Sequence, residues 1–319
     1  MTLRRHTRSM RHVEFVALSL ALIYLPKCID GFSLNGNRRP RLRPRQDAKL
    51  RHLQARTQYT IDDEVCAPTD PAELRKVVQK HCRTLDTFLQ NRPIARHTAA
   101  AFEATKELLE SSGPPASSRK FILDSGCGTA RSSMLLGEQY PDHTILGVDR
   151  SFVRLNRNAD NEADDSDTSK RPFQAVSDNV VLVRAELTDF WRCCLNEKWN
   201  IEQHYILYPN PYPKKNRLKK RFYAHPSFPL ILALGGENIV VRSNWKGYLS
   251  EFAESVLYAN EYFEEIDSVD TTSNVANPYT EAAMKGPHER IDKSLAYTLF
   301  EKKYDDVGEN TYELILDRQ

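Results

Sequence analysis

The chain has 319 residues, with 45 Lys and Arg against 43 Asp and Glu, a net charge of +2 at pH 7. Its 40% hydrophobic and 28% charged residues are ordinary for a globular protein of one or two domains. So small a net charge excludes a chain that is basic throughout, and any polyanion site has to be a local cluster. The cysteines, Cys28, Cys66, Cys82, Cys127, Cys193 and Cys194, form no C-x-x-C pair and no His/Cys cluster at metal spacing. Reduced thiols are expected, with no zinc site.

The first segment, residues 1–60, is set apart from the fold. Arg4, Arg5, Arg8 and Arg11 precede an apolar run whose uncharged part, residues 15–25, is too short to span a bilayer, which takes ~20 residues. A basic flank and a short apolar run read as a secretory signal, and the Arg-rich, acid-poor stretch after it has transit-peptide composition. The two in series resemble the bipartite presequences of algae with secondary plastids. A plastid address is therefore expected, with mitochondrion or secretory pathway as alternatives, and no stable membrane insertion of the mature protein. A disordered basic tail behind a buried apolar helix would have the same composition.

Residues 61–112 are expected to form an N-terminal helical extension. Asp70 followed by Pro71 is a helix start, and HTAAAFEATKELLES is a second helix closed by the loop SSGPPASSRK. From residue 113 on, strands and helices alternate: FILDSG, TILGVD, VVLVRAE, HYILYPN and ENIVVRS as strands, with helices between. That order predicts an α/β fold, a mostly parallel sheet flanked by helices. YTLFEKKY and TYELILD are predicted as a closing strand pair. Residues 159–172, crowded with acids, are expected to be a mobile surface insertion.

Three carboxylates fall at the ends of successive predicted strands. Asp124 stands just before Gly126 and Gly128 at the first strand–helix turn, Asp149 ends the second strand, and Glu186 ends the third. Position 131 is Arg, so the turn lacks the third glycine of a dinucleotide site. An acid before G-x-G is the pattern of S-adenosylmethionine sites. That cofactor carries a cationic ammonium and sulfonium, which suit a carboxylate. Asp149 would take the ribose hydroxyls and Glu186 the adenine amino group.

The fourth strand delivers Pro209, Asn210, Pro211, Tyr212 and Pro213. Next come Lys214, Lys215, Arg217, Lys219, Lys220 and Arg221. Prolines fix the backbone, Tyr212 offers a stacking face for a base, and the cations suit a phosphate backbone. A rigid proline turn beside a solvated charge run has the same composition, so both readings stand.

With the blocks RPIARHTAAAF, LDSGCGTAR, ILGVDRS, LYPNPYPKK, LALGGENIVVRSNWKGYLSEFA and TLFEKKY in order, residues 90–319 resemble the tRNA (guanine-N7) methyltransferase family. The resemblance implies a class I, Rossmann-like methyltransferase with a seven-stranded sheet, S-adenosylmethionine as cofactor, and RNA, tRNA above all, as substrate. It makes Asp124, Gly126, Gly128, Asp149, Arg150, Glu186 and Asn210 cofactor contacts. Tyr212, Lys214, Lys215, Asn244, Thr298 and Glu301 become substrate contacts, with Asn210 and Glu301 carrying the chemistry. Asn210 and Asn244 depart from the family, which usually has aspartate there. Guanine N7 has no proton to lose, so no general base is required. Glu301 would accept from the N1–H and N2–H donors of the base. Two other readings remain open: a same-fold methyltransferase acting on an amino group, suggested by Asn210-Pro211-Tyr212, and an RNA-binding relative without catalysis.

Overall fold

Short runs of β-branched and aliphatic residues with no polar alternation suit strands buried on both faces, and the centre of this molecule is built from them. The computed structural model describes residues 68–156, 173–267, 279–291 and 296–318. The expected presequence and acidic insertion lie outside the described residues. The strands are β1 (Lys120–Ser125), β2 (Thr144–Asp149), β3 (Phe173–Ser177), β4 (Val180–Arg184), β5 (Asn200–Leu207), β6 (Asn238–Ser243), β7 (Met284–Glu289) and β8 (Tyr312–Asp317). They form one sheet in the order β3-β4-β2-β1-β5-β6-β8-β7. β4, β2, β1, β5 and β6 are parallel, while β3, β8 and β7 run antiparallel to their neighbours. The expected seven strands are therefore eight. β3 lies beyond β4, and β7 is a short Gly- and Pro-bearing strand, MKGPHE, whose composition hides it from a pattern search.

The helices are α1 (Pro71–Arg83), α2 (Leu85–Gln90), α3 (Arg96–Ser111), α4 (Arg131–Gln139), α5 (Phe152–Leu155), α6 (Leu187–Asn196), α7 (Phe228–Leu234), α8 (Lys246–Asp267) and α9 (Leu299–Asp306). α1 starts as expected: Asp70 Oδ1 accepts from the amides of Ala72 and Glu73, with proline in the first turn. It buries Leu74, Val78, His81 and Cys82, one face at helical spacing, and packs on α8. α3 delivers Phe102 to a ring cluster in which Trp199 stacks on Phe102 and Phe121, centroids 4.5 and 4.8 Å apart. No described helix is long and apolar enough to cross a membrane.

One predicted element has the wrong type. TLFEKKY lies in the helix α9, not a strand. Thr298 and Glu301 close a capping box at its start. This satisfies orphan amides at the helix N-terminus and outweighs the β-propensity of the Tyr-Thr-Leu-Phe run.

Candidate active site

The C-terminal ends of β1, β2, β4, β5 and β6 converge on one cavity of about 820 Å³. The β1–α4 turn opens it. Gly126 and Gly128 have φ of +83° and +60°, values that strain a side-chain-bearing residue. A Cβ added at Gly126 would meet nothing within 4 Å, because the cavity begins there. The amides of Gly126 and Cys127 donate to the carbonyl of Val148, tying this turn to the end of β2.

Asp149 lines the cavity at 2% exposure. Its Oδ2 accepts from the Gly128 amide, and its Oδ1 from the Ser151 amide and Arg154 Nη2. Arg150, exposed beside it, also lines the cavity. Glu186 caps α6, accepting from the Asp189 amide, and forms a 2.9 Å ion pair with Arg92. Its own amide donates to Thr98 Oγ1, so the loop before α3 and α3 itself hold it in place.

Asp124 is corrected. It does not line the cavity: it is 1% exposed and its Oδ2 accepts from the hydroxyls of Ser132 and Ser133 in the first turn of α4. Burial raises its pKa to about 6, against the two hydroxyls that lower it. The acid before G-x-G here pins the helix behind the turn. The neighbouring Ser125, which the sequence did not single out, does line the cavity. Its hydroxyl meets His204 Nε2 at 2.8 Å and accepts from Trp191 Nε1 at 3.0 Å. Burial lowers the pKa of His204 to about 3, so this ring is neutral at pH 7.

After β5 the chain enters the proline loop under strain. Tyr208 and Tyr212 both sit at positive φ, 51° and 44°, at a cost of ~1–3 kcal/mol each for bulky residues. Between them, Asn210 Oδ1 accepts from the Tyr212 amide at 3.1 Å, which fixes the amide's orientation. Asn210, Tyr212 and Asn244 all line the cavity, and Asn244 Nδ2 donates to the Tyr304 hydroxyl.

Arg221 is a second correction. It ends the basic run, yet it is 1% exposed. Its Nε donates to the carbonyl of Tyr212, Nη2 to that of Pro213, and Nη1 to Glu251 at 2.7 Å and to the Tyr223 hydroxyl. Trp245 lies 5.0 Å from its guanidinium. It clamps the loop and is closed to phosphate. The exposed cations are Lys214, Lys215, Arg217, Lys219 and Lys220, carried by a 3₁₀ turn over Lys215–Lys220 that is anchored by buried Leu218. Lys214 and Lys215 stand outside the cavity, while Lys220 lines it, 5.9 Å from the ring centroid of Tyr212.

Thr298 and Glu301 differ most from expectation. Glu301 is 0% exposed. Its Oε1 receives Arg242 at 2.9 Å, Arg290 at 2.5 Å and the Tyr208 hydroxyl at 3.1 Å, and its Oε2 the amides of Tyr297 and Thr298. Thr298 Oγ1 accepts from the Glu301 amide. Both carboxylate oxygens are engaged inside the protein, so Glu301 is not placed to read a base. Phe300, between these two residues and unmarked by any sequence signal, does line the cavity.

The cavity suits S-adenosylmethionine. Its size falls in the usual range for small-molecule sites, and Asp149 and Glu186 are hydrogen-bond acceptors fixed at adjacent strand ends. Fold and site together define a class I S-adenosylmethionine-dependent methyltransferase. Residues 118–314 match a family model described as "Putative methyltransferase". The chain belongs to this family, that of the tRNA (guanine-N7) methyltransferases. No curated protein matches it. Among solved structures, an antibiotic-related methyltransferase is similar at 15% identity, over 66% of this chain and 91% of its own, with a TM-score of 0.39. The 16S rRNA (adenine(1408)-N(1))-methyltransferase of Catenulisporales acidiphilia is similar at 14% identity over 66% and 90%, TM-score 0.38. The 16S rRNA methyltransferase KamB is similar at 12% over 72% and 95%, TM-score 0.38.

Proposed function

We propose that this methyltransferase acts on RNA, transferring the methyl group to guanine N7, with tRNA the substrate class. S-adenosylmethionine, when bound, supplies an electrophilic methyl group. Guanine N7 offers a lone pair and carries no proton, so the residues here would have no proton to move. The site then needs alignment and polarity rather than a base. Asp149 and Glu186 would hold the ribose and adenine portions of the cofactor, with Arg150, Gly126 and Gly128 around them. Arg154 would have to yield its contact with Asp149, which its exposed position allows.

The observation that carries the guanine reading is the orientation of Asn210. Its carbonyl oxygen is engaged by the Tyr212 amide, which leaves its NH₂ donors to a ligand. Guanine presents O6 and N7 side by side, both acceptors, and a donor to O6 would leave the N7 lone pair for the methyl group. An amino-group substrate would instead want the Asn210 oxygen. The exposed cations beside the cavity support a phosphate-bearing substrate. Delivery to an organelle, plastid first, through residues 1–60 belongs to the same reading, as do the helical extension over 61–112 and the methyltransferase domain over 113–319.

The test is incubation of the full chain with methyl-labelled cofactor and total RNA from cells lacking N7 methylation, with mass identification of the labelled nucleoside. Label in 7-methylguanosine is expected. Label confined to a methylated amino group, or to protein, overturns the reading.

A further inference from the structure

We infer that Phe300 is the platform on which the acceptor base stacks, and that its ring face favours the positive charge the base acquires. The inference rests on the RNA reading above. Phe300 is a large hydrophobic side chain left 40% exposed, and it lines the cavity together with Asn210, Tyr212 and Asn244. Its ring is backed by Tyr304, stacked at 4.5 Å with planes 27° apart, and flanked by Tyr208 at 4.9 Å. The open part of such a ring is matched by a flat partner, and a base swung out of its strand is one.

The ring is held firmly. The residues on either side of it, Leu299 excepted, are fixed: Thr298 caps the helix and Glu301 is locked by Arg242 and Arg290. Tyr304 is held from the other side by Asn244. A contact built on a helix pinned in this way is more exact than one on a loop. The electrostatics agree. Methylation at N7 turns a neutral base into a cation, and Asn210 and Asn244 bring no charge to offset it. The π-face of Phe300 is attractive to a cation lying over it, so part of what a carboxylate would supply in-plane is supplied from below the base.

The test uses the full chain with Phe300→Leu, which keeps apolar bulk but removes the flat face, and Phe300→Tyr, which keeps it. RNA methylation, cofactor binding by calorimetry and the thermal midpoint are measured for both. Phe300→Leu is expected to lower kcat/KM for RNA by roughly tenfold or more, with cofactor Kd and midpoint unchanged, while Phe300→Tyr stays near wild type. Wild-type kcat/KM in Phe300→Leu, or an equal loss in both variants, overturns the inference while the RNA reading stands. Failure of the wild-type chain itself to methylate RNA overturns that reading, and this inference with it.

Discussion

A guanidinium at 1% exposure inside a lysine-rich stretch has surrendered its water for protein contacts. Burying Arg221 is tolerable only because Glu251 neutralises it and two loop carbonyls use its remaining donors. Those carbonyls belong to Tyr212 and Pro213, at the end of a loop strained at Tyr208 and Tyr212. Arg221 therefore works as a positioning residue. Arg221→Met alone leaves Glu251 buried and unpaired, with an expected loss of ~3–5 kcal/mol of stability in urea unfolding. Arg221→Met with Glu251→Leu removes both charges and should regain most of that stability. The double variant should still transfer methyl groups slowly, because nothing then holds the loop. Full recovery of rate along with stability would make the pair mere packing.

At the scale of elements, α9 shows how a sequence motif and its structural use can part. T-x-x-E resembled a substrate motif, and the same four letters are the signature of a capping box. In this fold they are a capping box, with the glutamate also serving as the buried centre of an ion cluster. Thr298→Ala should cost about 1 kcal/mol. Glu301→Ala, which removes the buried carboxylate that Arg242 and Arg290 share and leaves Arg242 with Glu313 and Arg290 with Asp305 and Thr311, should cost several times that, and its loss of cofactor binding and methyl transfer should together track the folded fraction across a urea titration. A Glu301→Ala chain that stays as stable as wild type but no longer methylates RNA would restore it as a base reader. The parallel strands and the glycine turn were legible because apolar runs and G-x-G are local signals. β7 was not, because a strand spelled MKGPHE owes its form to pairing with β8. Nor were the burial of Arg221 and Glu301, since their partners Glu251 and Arg242 lie 30 and 59 residues away in sequence. Phe300 carries no sequence signal at all: only the placement of α9 at the cavity gives it meaning.

Across the whole molecule, three histidines tie stability to pH. Burial lowers the pKa of His204 to about 3 and, chiefly, those of His81 and His225 to about 4. The positive charges of His225, Lys219 and Lys80 add to the effect at His81, and that of Arg92 at His225. Between these values and the ordinary 6.5, the unfolded chain binds protons that the folded chain refuses. Stability therefore rises with pH through that window and falls on acidification below about 6.5. Asp124 acts in the opposite sense. Its folded pKa of about 6 stands above the usual 3.8, so its contribution is present at low pH and is lost as pH rises through 6. The pKa of Glu202 is lowered and that of Glu254 raised, so these two act in opposite senses to each other. With three histidines against Asp124, the urea midpoint should fall steadily from pH 6.5 to pH 4. A flat profile would mean that the imidazoles protonate in place.

The clamp on the proline loop also reaches toward the chain's beginning. Glu251, which holds Arg221, is itself held by Thr69, through a 2.7 Å bond from its amide and a 3.1 Å bond from its hydroxyl. Thr69 comes just before α1, so the proline loop is fastened at second hand to the first described turn of the polypeptide. A chain shortened past Thr69 would keep every strand of the sheet and still loosen the loop that lines the cavity, because Glu251 would then hold Arg221 with two of its own hydrogen bonds gone.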